Sequence, residues 1–195
     1  MNNGHRKRVK HFHLPGHCHE LTFSCYQRRP LLANDVLRGL LSRSIEVATE
    51  RHGFRLCGFV YMPEHVHLLV WPESSSSTVN GLLKAIKQPF SHRAKRLFIA
   101  ADQQLLAELT IQERPGKIVF RFWQEGGGYD RNLTSSKSVR ASLDYLHLNP
   151  VRRGFVETAA AWKWSSARFF QDGSAIDLDL PKLFALPPQF WDMPA

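Results

Sequence analysis

Two histidines flank a single apolar residue in the segment Pro63-Glu64-His65-Val66-His67-Leu68-Leu69-Val70. If this segment is a strand, His65 and His67 project from one face, and Val66, Leu68 and Val70 from the other. Two adjacent imidazoles supply half of a divalent-metal coordination shell. Downstream, Tyr145 and Asn149 are four residues apart in a stretch with helical periodicity. That spacing places them one turn apart, offset by about 40°. Tyr145 offers a nucleophilic oxygen, and Asn149 a carbonyl oxygen suited to a hard divalent ion. A phenol with a pKa near 10 attacks poorly at neutral pH. A metal on a phosphodiester oxygen would polarise phosphorus, neutralise developing charge and orient in-line attack. The product, a phosphotyrosine ester, keeps the bond transferable to another strand's hydroxyl. Each part also has an ordinary reading. Paired strand histidines are often core residues, helix tyrosines usually pack, and Asn before Pro commonly ends a helix. The joint pattern is the informative one.

The substrate class follows from charge. The 195 residues carry a net charge of +9 with a pI near 9.8, which favours a phosphate-bearing partner. Charge does not distinguish DNA from RNA. Candidate phosphate contacts are Arg121, Arg131, Arg152 and Arg153 near the motif segments, and Lys84 and Lys87 on a predicted basic helix. Trp123 or Tyr129 offers a ring for an unpaired base, set against the commoner role of a core aromatic. Arg6, Lys7, Arg8 and Lys10 form a possible groove-binding arm. No apolar run approaches the roughly 20 residues of a membrane span, and the basic N-terminus leads into no secretory core. Cys18, Cys25 and Cys57 are odd in number and lack CxxC spacing, which fits reduced thiols in a cytoplasmic protein. The cluster His11, His13, His17, Cys18 and His19 reads as incidental rather than as a zinc site.

These groups need a scaffold. Glu20–Tyr26 reads as a first strand, and Asp35–Arg51 as a helix capped by Asn34 and ended by Gly53. Phe54–Tyr61 and His65–Trp71 read as strands around the turn Met62-Pro63-Glu64. A helix from about Thr78 to Phe98 contains Pro89, which is expected to kink it. Lys117–Trp123 reads as the next strand, and Ser135–Asn149 as a helix stopped by Pro150. A further short helix is expected to include Ala159–Phe170. Gly126-Gly127-Gly128 either lets the tyrosine helix move or forms a tight loop. The order β-α-β-β-α-β-α predicts an α+β fold: an antiparallel sheet with helices packed mainly on one face. The expected organisation is a basic arm over 1–16, a catalytic domain over 17–170 and an irregular tail over 171–195.

The string Tyr61-Met62-Pro63-Glu64-His65-Val66-His67-Leu68-Leu69-Val70 closely resembles the HUH motif of single-tyrosine transposases. Those enzymes serve bacterial insertion sequences and include the REP-associated tyrosine transposases. The resemblance continues through Lys84–Gln88, Phe122-Trp123-Gln124, Tyr129-Asp130-Arg131, Asp144–Arg152 and Trp164-Ser165-Ser166-Ala167. It implies a ferredoxin-like fold that cuts single-stranded DNA through a covalent 5′-phosphotyrosine. It further implies Tyr145 as nucleophile, His65 and His67 as ligands of Mg²⁺ or Mn²⁺, and Asn149 where relatives supply a third polar ligand, often Gln. The Asn-Pro-Val-Arg and Trp-Ser-Ser features point to the REP-associated branch, with hairpin-containing repeats as substrate and either a monomer or a homodimer as the working form. A histidine-triad hydrolase lacks its next histidine here, because that position is Leu69. A replication initiator or relaxase would need a second domain. A nucleic-acid-binding regulator derived from a transposase and lacking catalysis is the remaining alternative.

Overall fold

A computed structural model describes residues 17–173 and 179–186. The arm residues Arg6, Lys7, Arg8 and Lys10, together with His11 and His13, lie outside these described residues. The chain runs β1 (Cys18–Ser24), α1 (Asp35–Arg51), β2 (Phe54–Tyr61), β3 (His65–Pro72) and α2 (Val79–Ala101). It continues through α3 (Gln103–Glu108), β4 (Thr110–Arg114), β5 (Lys117–Phe120), β6 (Tyr129–Leu133), α4 (Ser136–Arg152) and α5 (Ala167–Asp172). The main sheet has the order β2-β3-β1-β6 with every neighbouring pair antiparallel. This is the ferredoxin-like arrangement, in which each of two crossovers carries a helix and the first and third sheet strands lie at the centre.

Local chemistry accounts for the helix starts. Asn34 accepts hydrogen bonds from the Val36 and Leu37 amides, Thr78 from Gly81, and Ser135 forms a reciprocal capping box with Ser138. Leu37, Leu41, Ile45 and Ala48 of α1 and Leu82, Ile86 and Phe90 of α2 meet Leu21, Phe23, Phe59, Val66, Leu68 and Val70 in one core. Both helices therefore share a sheet face. α4 lies on the other face, where Val139 and Leu143 pack on Cys18, Cys57 and Leu69, and Leu146 on Val60 and Met62. At Gly58 an added Cβ would stand 2.7 Å from Leu143 Cδ2, so glycine at this bulged position allows α4 to sit close to β2.

Three expectations are corrected. The fourth sheet strand is Tyr129–Leu133, whereas Lys117–Phe120 pairs with Thr110–Arg114 in a separate hairpin. The sequence Tyr-Asp-Arg-Asn-Leu is too polar to announce a strand, but it sits at a sheet edge where one flank needs no partner. Pro150 does not stop α4, which reaches Arg152; the bond to the Leu146 carbonyl is lost, but the helix has only two residues left to run beyond it. Ala159–Phe170 is not one helix: between Ala159–Ala161, a short 3₁₀ turn, and α5, the Trp-Ser-Ser segment runs along β2. Tyr61 N donates to Trp164 O at 2.8 Å, and Ser166 N to Phe59 O at 3.0 Å. No helix among the described residues is long and apolar enough to cross a membrane.

Candidate active site

β3 brings His65 and His67 to the α4 side of the sheet, opposite Val66, Leu68 and Val70, which enter the α1/α2 core. The alternation expected of a strand is realised. The two rings meet edge to face with centroids 4.7 Å apart, and their Nε2 atoms stand 2.9 Å apart. Each Nδ1 is held from outside the pair. Glu64 Oε1 lies 3.0 Å from His65 Nδ1, and Thr22 Oγ1 lies 2.8 Å from His67 Nδ1. Such partners orient ligating imidazoles in metal sites. Burial lowers the pKa of His65, against the opposing pull of Glu64, and lowers that of His67 to about 3. Both rings are therefore neutral near pH 7, the state that offers a lone pair to a cation.

The spacing can be tested against an ion. Nitrogens about 2.1 Å from a common ion at neighbouring octahedral positions stand about 3.0 Å apart, whereas tetrahedral neighbours stand about 3.4 Å apart. At 2.9 Å the two Nε2 atoms are near enough to share one ion, and the same separation is that of a hydrogen bond between the rings. Among the described residues no group of three or more His, Cys, Asp or Glu side chains is placed to hold a metal. A third protein ligand would have to be of another type. Asn149 is buried one turn below Tyr145, and its Nδ2 donates to the Tyr145 carbonyl at 3.0 Å.

Tyr145 stands beside His67, ring centroids 5.9 Å apart in an edge-to-face arrangement, and is 47% exposed. The guanidinium of Arg152 covers its ring at 5.1 Å. Tyr145 and His67 line one cleft of about 510 Å³ together with Glu20, Thr22, Tyr129, Arg131, Ala141 and Ser142. Two tethers hold α4 in place. Arg153, at its C-terminal cap, donates to Glu64 Oε1 at 2.6 Å, the same oxygen that meets His65. Further up the helix, His147 Nε2 lies 2.8 Å from Ser166 Oγ, which also accepts from Phe59 N and donates to Phe59 O. Glu64 is thus buried and bonded rather than solvated as turn glutamates usually are, and Arg153 with His65 draws its pKa below the usual carboxylate value against desolvation.

The remaining candidates divide. Arg131 and Arg152 border the cleft, and Arg153 supports Glu64. Arg121 is engaged elsewhere, by Glu113 and Glu125 near the β4–β5 hairpin. Lys84 is exposed on α2, across the sheet from the histidines, beside Arg51 and His52. Lys87 donates to the Gly126 carbonyl at 3.0 Å and stands 5.0 Å over the Phe23 ring; burial lowers its pKa to about 8. Trp123 is a core residue among Phe23, Phe90 and Phe122, which corrects its reading as a stacking platform, whereas Tyr129 is 55% exposed. Gly128 has φ +84°, and an added Cβ would lie 2.2 Å from Thr22 O, so the triplet forms a tight entry into β6. Of the histidine–cysteine cluster, Cys18 donates to Val70 O and His19 pairs with Asp130. Sequence reading missed Glu20, Thr22 and Ser142; only the β1–β3 and β1–β6 registers and the seating of α4 bring them to the cleft.

Comparisons with known proteins place this chain in a family. A family model described as "Transposase IS200 like" matches residues 16–113, a span that holds both histidines and stops before Tyr145. A putative REP-associated tyrosine transposase of Haemophilus influenzae is 25% identical over 119 residues, covering 60% of this chain and 61% of that protein. The chain thus spans less than two thirds of that relative's length. The REP-associated tyrosine transposase of Escherichia coli K12 is 22% identical over 157 residues, 80% of each chain. Among solved structures, a REP-associated tyrosine transposase bound to a REP hairpin superposes with a TM-score of 0.65 at 20% identity, covering 92% of this chain and 94% of that one; the likeness is one of fold. With half of its length matched by the family model, the chain belongs to the IS200-like transposase family.

Proposed function

We propose that the chain nicks and rejoins single-stranded DNA through a covalent 5′-phosphotyrosine on Tyr145, with hairpin-containing repeats as its substrate. The observation that carries this reading is the placement of Tyr145 against His67 in a cleft lined by both. His65 and His67 would hold Mg²⁺ or Mn²⁺ through Nε2, with Asn149 as the further protein ligand. Bound there, the ion supplies Lewis-acid polarisation of a phosphodiester and charge neutralisation in the transition state.

The chain's own groups supply the rest. Glu64 and Thr22 hold the imidazoles in one orientation, so coordination requires no reordering. The Tyr145 oxygen attacks phosphorus and forms the P–O bond as the 3′ oxygen of the upstream nucleotide departs. The phenolic proton leaves to solvent at this half-exposed position, and the departing 3′ oxygen takes one from solvent to become a hydroxyl. Arg152, above the ring, offsets negative charge on the phenolate and on the phosphoryl oxygens. Attack by another strand's 3′ hydroxyl reverses the bond changes and releases Tyr145. The relatives' names and the hairpin bound to the fold neighbour support a hairpin-bearing substrate. One chain brings its tyrosine to its own histidines, which supports a site complete within a monomer.

Incubation with labelled single-stranded hairpin DNA and Mn²⁺ tests this reading. A protein–DNA adduct that survives denaturation is expected, lost with Tyr145→Phe and suppressed by chelator. Folded protein that binds such DNA and forms no adduct across repeat sequences would support the non-catalytic regulator instead.

A further inference from the structure

One end of the cleft carries chemistry that phosphoryl transfer does not use. Its floor is the β1–β6 ladder, in which Glu20 pairs with Arg131 and Thr22 with Tyr129. Its wall is α4 at Ala141 and Ser142, the latter three residues before Tyr145. These small side chains stand between Val139, Leu143 and Leu146, which pack against the sheet, and so leave room for a ligand.

Two buried polar groups face this space, one of them without a partner. Glu20 is 5% exposed, and its carboxylate lies 3.9 Å from Arg131, too far for a hydrogen bond. Ser142 is 3% exposed, and its Oγ has no hydrogen-bond partner among the described residues. Buried polar groups are normally satisfied, so the unpartnered Ser142 hydroxyl points to a ligand in this space, beside the Glu20 carboxylate. Tyr129, across from Thr22, offers an exposed aromatic ring.

A carboxylate repels phosphate. In a cleft built for a nucleic-acid strand it suits only the N–H edge of a base, and Tyr129 supplies the stacking surface. The phosphate then belongs at the other end, with the histidines and Arg152. Guanine alone among the four bases presents two adjacent donors, N1–H and the 2-amino group, beside an acceptor, O6. Two carboxylate oxygens match the donors, and the Arg131 guanidinium matches O6. On the reading of the site given above, we infer that this cleft is a guanine pocket that selects a nucleotide next to the scissile phosphate. Glu20 and Arg131 read its edge, Tyr129 stacks on its ring, and Ser142 hydrogen-bonds the bound nucleotide.

The test uses single strands in which a hairpin is flanked by randomised nucleotides, incubated with the full chain and Mn²⁺. Sequencing of the captured strands should show guanine enriched at one position beside the cut. Inosine there, which lacks the 2-amino donor, should lower capture about tenfold. Glu20→Gln should flatten the guanine enrichment; should that variant not fold, Tyr129→Leu at its exposed position should do the same. Adducts without base preference, or a preference that these variants leave unchanged, would overturn the pocket. Enrichment of another base, lost in Glu20→Gln, would overturn guanine as its occupant. Selecting the same library by binding to Tyr145→Phe protein separates this inference from the nucleophile. Guanine enrichment there, without adducts from the native chain, upholds the pocket and removes the tyrosine chemistry; absence of enrichment removes the pocket.

Discussion

The two faces of the sheet are built from the same strands and do opposite work. On the α1/α2 face, Phe23, Phe59, Tyr61, Leu68 and Phe90 close into one continuous core with almost no exposed surface. On the α4 face, apolar contact is split into two small clusters, and beside them lie the histidines, the cleft and the buried polar groups. Strand alternation makes the division sharp, since Val66 and His67 differ by one residue and by their entire environment. Stability is therefore concentrated on one face and chemistry on the other. Substitutions should sort by face more than by distance along the chain.

The strongest challenge to that division is Phe59→Ala, which empties a fully buried position on the core face. It should cost about 3–5 kcal/mol in urea unfolding, while whatever protein remains folded keeps its adduct rate. Loss of adduct at unchanged stability would break the division. Gly128→Ala probes the seam, because its Cβ would collide with the Thr22 carbonyl at a positive φ. A destabilisation of about 2 kcal/mol, with slower adduct formation through displacement of Thr22 from His67, is expected in parallel unfolding and single-turnover measurements. Arg153→Ala acts on the α4 face alone. It releases Glu64 and should cut adduct rate and Mn²⁺ affinity roughly tenfold, with DNA affinity within about threefold and partial recovery in Arg153→Lys. Equal losses in DNA affinity and rate would make Arg153 a phosphate contact instead. Lys84→Ala, across the sheet from the cleft, should alter DNA affinity less than about twofold at physiological salt. A larger change in a salt titration would place part of the DNA path on the core face.

Much of this was legible in the residue order. Asn34 and Gly53 mark the ends of α1, and β2 begins and ends where its β-forming run does, because capping and pleat preferences act locally. The edge strand β6 was not legible, since its polar composition is stabilised by pairing with β1 rather than by its own propensity. The helix expected to stop at Asn149 runs on through Pro150 for two residues, because one lost backbone bond does not outweigh the packing that seats this helix on the sheet. Trp123 illustrates the same limit for single side chains. An aromatic near a motif reads equally as platform or core, and its neighbours Phe90 and Phe122 decide for the core.

Residue order by itself determined that His65 and His67 share a face, that Tyr145 and Asn149 share a helical shoulder, and that a basic chain carries both. These are consequences of periods of two and of 3.6, and they need no knowledge of what lies across from the strand or helix. Tertiary structure decided that α4 crosses on the histidine side, that Glu64 is clamped by Arg153, and that Glu20 and Ser142 face one cleft. Strand order, register and the close seating of α4 over Gly58 produce those contacts. Each joins residues far apart in sequence, and such pairings leave no periodic trace along the chain.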